Sequence, residues 1–172
     1  MIYYLYYNIM DESLNDKPKM IIMPLEPLNK ILEDYIILDD ADKSILVDFK
    51  NYDIIINANN VDEFKGFNHN IVKDQFEGFL GPLAGIHASI LWIINNHAEK
   101  EWLFTVPSDT PFLPSNLLDV FLSSYTPGTE ILIARSNNRH HPVIAMWHVS
   151  LLESLEKELK LKNSKIMLWV KK

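Results

Sequence analysis

Alternating strand-like and helix-like segments predict an α/β domain with a mostly parallel sheet in a three-layer arrangement. Two observations carry this. Short apolar runs rich in β-branched and aromatic residues, Tyr52–Ala58 (YDIIINA), Trp102–Val106 and Glu130–Arg135 (EILIAR), have the length of buried strands. Between them lie stretches with apolar residues at helical spacing: Leu83, Ile86, Ile90, Ile93 and Ile94, then Leu117, Leu118, Phe121 and Leu122. The chain has 172 residues, 48% of them hydrophobic and 23% charged, which suits one domain over residues 1–172 with a real core.

Taken in order, Ile2–Ile9 reads as a Tyr- and Ile-rich strand. Met20–Met23 is a short apolar run ended by Pro24 and Pro27, and Leu28, Ile31 and Leu32 share one face of a short helix reaching about Tyr35. Asp39, Asp40 and Asp42 read as an exposed, solvated turn, with a bound cation as the competing reading. After YDIIINA, residues 60–70 read as a surface loop, followed by the strand Ile71–Lys73. Gly81 is placed to cap a helix, Pro82 suits its first position, and the helix runs to about His97. Trp102–Val106 comes next, then a helix from Ser115, a turn at Thr126-Pro127-Gly128, the strand Glu130–Arg135, a polar loop at Ser136–Arg139 and the strand Val143–Trp147. Ser150-Leu151-Leu152-Glu153 has the capping-box pattern and opens a helix with Leu152, Leu155 and Leu159 on one face. The lysines from Lys157 onward fit a solvated helix face, or a docking surface for an anionic, phosphate-bearing pterin.

Composition narrows the function classes. With no cysteine, disulfides, thiolate metal sites and Cys nucleophiles are excluded. A formal net charge of -7 argues against wholesale nucleic-acid binding. The N-terminus lacks a basic n-region with a long apolar core, and no apolar run reaches membrane-spanning length, so no membrane association and a cytoplasmic location are expected. The pair His140-His141 does not suit one metal ion, because neighbours on a strand point to opposite faces. His87 and His97 read as ordinary helix residues.

Three stretches carry candidate chemistry. In Val106–Pro114 (VPSDTPFLP), three prolines hold Asp109 on a stiff turn after a strand. A lone carboxylate there suits Mg²⁺, which keeps waters and bridges to substrate phosphates; a turn-capping role explains the same residue. Gly78–Ile86 (GFLGPLAGI) puts glycines at a helix start, where backbone can approach an anion, although capping alone also accounts for them. Asn57-Ala58-Asn59 follows a strand. Together, in this order, these motifs resemble the molybdenum cofactor guanylyltransferase family, over about Asp53 to Lys165. That resemblance implies a Rossmann-like nucleotidyltransferase fold and transfer of GMP from GTP to molybdopterin with Mg²⁺. It implies that Asp109 is the catalytic metal carboxylate, that Asn57 and Asp74 contact the guanine nucleotide, and that Arg139 and His141 match an Arg-x-His-Pro segment on the substrate side.

The family also opens with a Gly-rich phosphate loop, an Arg and a Lys. Here the first of five glycines is Gly66, and both arginines, Arg135 and Arg139, come late. Lys17 is the expected counterpart of the family lysine, with Lys19 as competitor. The resemblance thus implies a domain incomplete at both ends. It leaves two rivals to guanylyl transfer: an inactive remnant with weak nucleotide binding, and a related cytidylyl- or sugar nucleotidyltransferase. Oligomeric state is not indicated.

Overall fold

The structure is a computed structural model that describes residues 2–7, 52–64, 70–76, 78, 80–107, 113–114 and 116–171. The short helix before Tyr35 and the Asp39–Asp42 turn lie outside the described residues.

Six strands form one sheet: β1 (Ile2–Tyr7), β2 (Tyr52–Asn57), β3 (Asn70–Val72), β4 (Trp102–Pro107), β5 (Ile131–Ser136) and β6 (Arg139–His148), in the order β3-β2-β1-β4-β6-β5. The α/β class holds, but the strand directions refine the expected parallel sheet. β2 and β3 pair in parallel. β1 runs antiparallel to both β2 and β4, β6 antiparallel to both β4 and β5. Four strands therefore share one direction, with β1 and β6 interleaved against them. Hydrophobic runs report burial, whereas direction is set by connections. The Ser136–Arg139 stretch illustrates this. It is a two-residue hairpin turn in which Asn137 (φ 47°) and Asn138 (φ 61°) both occupy the left-handed region, the geometry that matches strand twist and that Asn tolerates. So short a link makes β5 and β6 antiparallel.

Among the described residues, four helices follow the strands: α1 (Pro82–Asn96), α2 (Leu117–Ser124), α3 (Leu152–Lys160) and the single turn α4 (Ile166–Trp169). Directly opposed residues in the sheet share a face, so register sorts the packing. Trp102 and Phe104 point to one face, where Phe104 meets Phe121 of α2 edge-on at 4.8 Å and Trp102 meets Tyr125 at 5.7 Å. Leu103, Thr105, Ala145 and Trp147 point to the other. There Trp147 stacks on Trp169 at 5.9 Å, and Trp169 donates its indole N–H to Ser154 Oγ of α3 at 2.9 Å. α1 packs against α3 on this same face.

The core follows the periodic residues. Leu83, Ile86, Ile90 and Ile93 of α1 are buried with Ile55, Ile56, Leu103, Trp147 and Leu155; each such side chain contributes about 1.5–3 kcal/mol by leaving water. Ile94, expected on the apolar face, is instead exposed. Within the expected surface loop, Val61–Phe64 forms a 3-10 turn that buries Phe64. The capping box does not form. His148 Nδ1 accepts from the Ser150 backbone N–H, the Ser150 hydroxyl donates to Glu130 Oε1 at 2.9 Å, and Glu153 pairs with Lys157 instead. A 3-10 turn over Val149–Leu151 displaces Ser150 from the cap position that the spacing assumes.

Candidate functional site

Two strand ends build the core of the site. β2 runs apolar up to Asn57, its last residue, and β3 ends at Val72, two residues before Asp74. The strands are parallel, so both chains leave at their carboxyl ends on the same edge, the position where open α/β sheets bind ligands. Asn57 is 8% exposed. Its side-chain amide donates to the Val72 carbonyl at 3.0 Å and to Asp74 Oδ1 at 2.9 Å. Asn59, one turn of the pleat further on and exposed, donates to Asp74 Oδ2 at 3.0 Å and accepts from the Asp74 backbone N–H at 3.2 Å. The Ala58 N–H also donates to the Val72 carbonyl, at 3.0 Å, carrying the pairing one residue past the strand.

Two amides thus hold both carboxylate oxygens of Asp74. A carboxylate has about four lone-pair positions, and these bonds use two. The rest can accept N–H or O–H donors from a ligand in a fixed orientation. The sequence motifs brought Asn57 and Asp74 to attention; the second clamp, Asn59, was quoted in the motif but given no role. Its signal is the i, i+2 spacing, which keeps the two Asn side chains on one side of an extended chain.

The loop from Asp74 into α1 is set by glycine geometry. Gly81 has φ 63° and ψ -160°, backbone open to glycine and strained for other residues, and it precedes Pro82 at the first position of the helix. A Cβ there would sit 3.6 Å from the Ser164 carbonyl oxygen, so the turn also packs against the chain entering α4. Phe76 of the same loop meets the ring of His87 edge-on at 5.1 Å. His87 is 4% exposed, and its Nδ1 has no hydrogen-bond partner among the described residues. Burial holds this imidazole below its ordinary pKa; Glu156 opposes the shift and Lys160 adds to it.

The third strand end is Pro107. Both Asn57 and Pro107 pair with Ile2 of β1, so β2 and β4 end level with each other, about 10 Å apart across β1. Asp109 and Lys17 lie outside the described residues. Arg139 and His141 open β6 at this same edge of the sheet, three strands from β2 and next to β4 in the order of the sheet. Among the described residues no group of three or more His, Asp or Glu could hold a metal.

A model of the MobA-like NTP transferase domain matches residues 44–171. The chain belongs to that family. Within it, the molybdenum cofactor guanylyltransferase of Shewanella putrefaciens is 35% identical over 122 residues, covering 70% of this chain and 60% of the relative. The same-named protein of Rhodopseudomonas palustris is 37% identical over 108 residues, covering 62% of this chain and 51% of the relative. The MobA-like chain therefore spans about half to three-fifths of the length of these curated relatives. Its fold resembles that of molybdopterin-guanine dinucleotide biosynthesis protein A from Archaeoglobus fulgidus, with a TM-score of 0.56 at 17% identity over 75% of this chain and 64% of that one. A protein from Aquifex aeolicus VF5 aligns with a TM-score of 0.59 at 19% identity over 83% and 73%.

Proposed function

We propose that this MobA-like chain is a guanylyltransferase domain with a three-layer nucleotidyltransferase fold, which transfers GMP from GTP to molybdopterin. The observation that carries the reading is the Asn57–Asn59–Asp74 clamp at the carboxyl ends of parallel strands. In the proposal, the carboxylate of Asp74 accepts hydrogen bonds from the guanosine, and the buried amide of Asn57 fixes its direction. A phosphate oxygen of molybdopterin attacks the α-phosphorus of GTP, the bond from that phosphorus to the β-phosphate bridging oxygen breaks, and pyrophosphate leaves. Chemistry of this kind is mostly positioning and charge neutralisation.

The Mg²⁺ carboxylate is assigned to Asp109, on the segment that follows the end of β4, because a lone carboxylate after a strand end suits an ion that keeps several waters; the remaining lone pairs of Asp74 are kept for the guanosine. Mg²⁺ needs only one or two protein carboxylates when phosphates and water complete its shell. When bound it would neutralise phosphate charge. Lys17 would add a further positive charge, with Lys19 as the alternative.

One observation favours a second reading, a remnant with weak nucleotide binding: the family match begins at residue 44, downstream of Lys17 and Lys19, and no glycine precedes Gly66. Calorimetric titration with Mg-GTP and Mg-CTP tests the binding half of the reading. The expected result is saturable binding that favours GTP and weakens in Asp74→Ala. Equal binding of both nucleotides, or no effect of the substitution in a folded protein, would overturn the guanosine assignment.

A further inference from the structure

β5 closes one end of the sheet, and among the described residues it pairs with β6 alone. Its first four residues, Ile131, Leu132, Ile133 and Ala134, are all apolar and all half-buried. One bond fixes where its backbone groups point. The His148 N–H donates to the Glu130 carbonyl at 2.9 Å, and these two residues lie directly opposite each other at the start of the β5–β6 ladder. Along an antiparallel strand such bonds alternate from one side to the other. Glu130 and Leu132 therefore turn their N–H and C=O groups toward β6. Ile131 and Ile133 turn theirs outward, away from the sheet.

An edge of this kind is a template for another strand, and proteins blunt it with lysine, proline, inward charge or a bulge. Residues 131–134 contain no charge and no proline. A bulge is present, but it comes after Ile133 and in the other strand. Ile133 pairs with Ala145, whereas the next residue, Ala134, pairs with His141, so Pro142, Val143 and Ile144 are left unopposed. This odd insertion turns Arg139 onto the face covered by α2, with Arg135 on the other. Thr105 pins the bulge from the core: its hydroxyl lies 2.9 Å from the Val143 carbonyl and 3.3 Å from that of Ala145, and accepts from Trp147 Nε1 at 3.0 Å. The hairpin end beyond it is polar and exposed from Arg135 to His140, so the bare apolar edge is confined to residues 131–133.

We propose that this edge is a docking surface for β5 of a second copy, in antiparallel pairing about a two-fold axis through Leu132. Self-complementarity selects the occupant. A two-fold axis perpendicular to the sheet keeps both faces continuous, so residues opposed across it lie an even number apart in sequence. One such register sets every aliphatic residue of this edge against another: Ile131 against Ile133 of the second copy, Leu132 against Leu132, and Ile133 against Ile131. Moving the axis to Ile131 or to Ile133 would instead oppose Leu132 to Glu130, or Ile131 to Arg135. The favoured register also places the outward-turned residues opposite each other, where each Ile131–Ile133 pair exchanges both N–H···O bonds. The two Leu132 side chains meet on the α2 face, because Leu132 opposes Met146 and Met146 opposes Phe104. β5 lies at the far end of the sheet from β2 and β3, so the dimer leaves the Asn57–Asp74 clamp open. A single strand pair is a small interface, which sets the expected association in the micromolar range.

The test is sedimentation velocity of the full chain across the micromolar range, with amide hydrogen exchange read by NMR. The native chain should pass from monomer to dimer. The Ile131 and Ile133 amides should exchange more slowly as the dimer forms, while the Leu132 amide, turned toward β6, is protected throughout. Leu132→Lys and Leu132→Glu should each be monomeric, because like charges would meet on the axis; an equimolar mixture of the two should recover the dimer. Ile133→Pro should also be monomeric, since it removes an outward N–H and no bond to β6. Val120→Lys, at a residue of α2 that is 51% exposed, should dimerise like the native chain. Urea midpoints report that each variant is folded; should both Leu132 variants fail to fold, Ile133→Pro and the exchange of the native chain decide. A native chain that stays monomeric would leave the edge to a strand of another protein and overturn the second copy as its occupant. A dimer that persists in folded Leu132→Lys or Ile133→Pro, or that Val120→Lys dissociates, would place the interface elsewhere and overturn the proposal equally.

Discussion

Asn57 concentrates three requirements in one side chain. Its amide satisfies the Val72 carbonyl, orients Asp74, and does so almost without solvent. Asn57→Ala would remove one of the two donors to the Val72 carbonyl and leave Asp74 Oδ1 without its buried amide, at about 1–3 kcal/mol of stability. Urea denaturation should record that loss, and calorimetry should record weaker GTP binding. Asp109→Asn is the contrasting case. It should lower the Mg²⁺-dependent part of GTP affinity and leave the urea midpoint unchanged, because its role in the proposal is to hold the ion and not the fold. His87 offers a pH test. Its imidazole is held below the ordinary value of 6.5 by burial, so the unfolded chain binds that proton more readily than the folded one. The corresponding stability is complete above pH 6.5 and declines as the pH falls from there toward the folded-state pKa. Urea midpoints measured from about pH 7.5 down to about pH 5 should fall more steeply for the native chain than for His87→Leu, which keeps the apolar contact with Phe76 without a titrating ring.

At the scale of elements, the β6 bulge and its anchor do the most positioning. Thr105 is fully buried on β4, and its hydroxyl serves both a carbonyl of the bulge and the indole of Trp147. Thr105→Val keeps the shape and removes both bonds, leaving an indole N–H without acceptor in the core. The expected cost is about 1–3 kcal/mol, read as a lower urea midpoint. Because the same hydroxyl holds Val143, backbone amide signals of residues 139–144 should shift more than those of α3 in the variant. Uniform shifts across α3 and β6 would mean that Thr105 serves packing alone. The α1 entry shows the other kind of device: the Gly81 conformation and the ring of Pro82 fix where the helix starts, without any side-chain cap.

At the scale of the whole molecule, the described sheet supplies three level or neighbouring strand ends and a basic hairpin on one edge. The family's Gly-rich phosphate loop has no counterpart in the sequence before Gly66. Each missing oxyanion-type donor typically costs about 10²–10³ in rate. Pyrophosphate release with Mg-GTP and molybdopterin should therefore run far below that of a family member carrying the loop. Comparable turnover would mean that residues outside the family match supply those donors.

Local pattern determined much of this molecule. The spacing of Leu83, Ile86, Ile90 and Ile93 placed α1, Gly81-Pro82 fixed its start, and the run ending at Asn57 placed β2, because period, capping and proline act over a few residues. The family resemblance singled out Asn57 and Asp74 as nucleotide contacts; that they hydrogen-bond to each other is seen only in the structure. The tertiary structure decided what depends on residues far apart in sequence. It set β1 against the direction of its neighbours, buried Phe64, and gave the Ser150 hydroxyl to Glu130 in place of a helix cap. It gave Asn59 a role by bringing Asp74 within reach of a side chain fifteen residues away. It also placed Arg139 and Arg135, four residues apart, on opposite faces of a hairpin, and a bulge held by a threonine of another strand decided which face of the sheet each took. Side-chain alternation along one strand is local, but the register that gives each face its meaning is fixed only when strands meet.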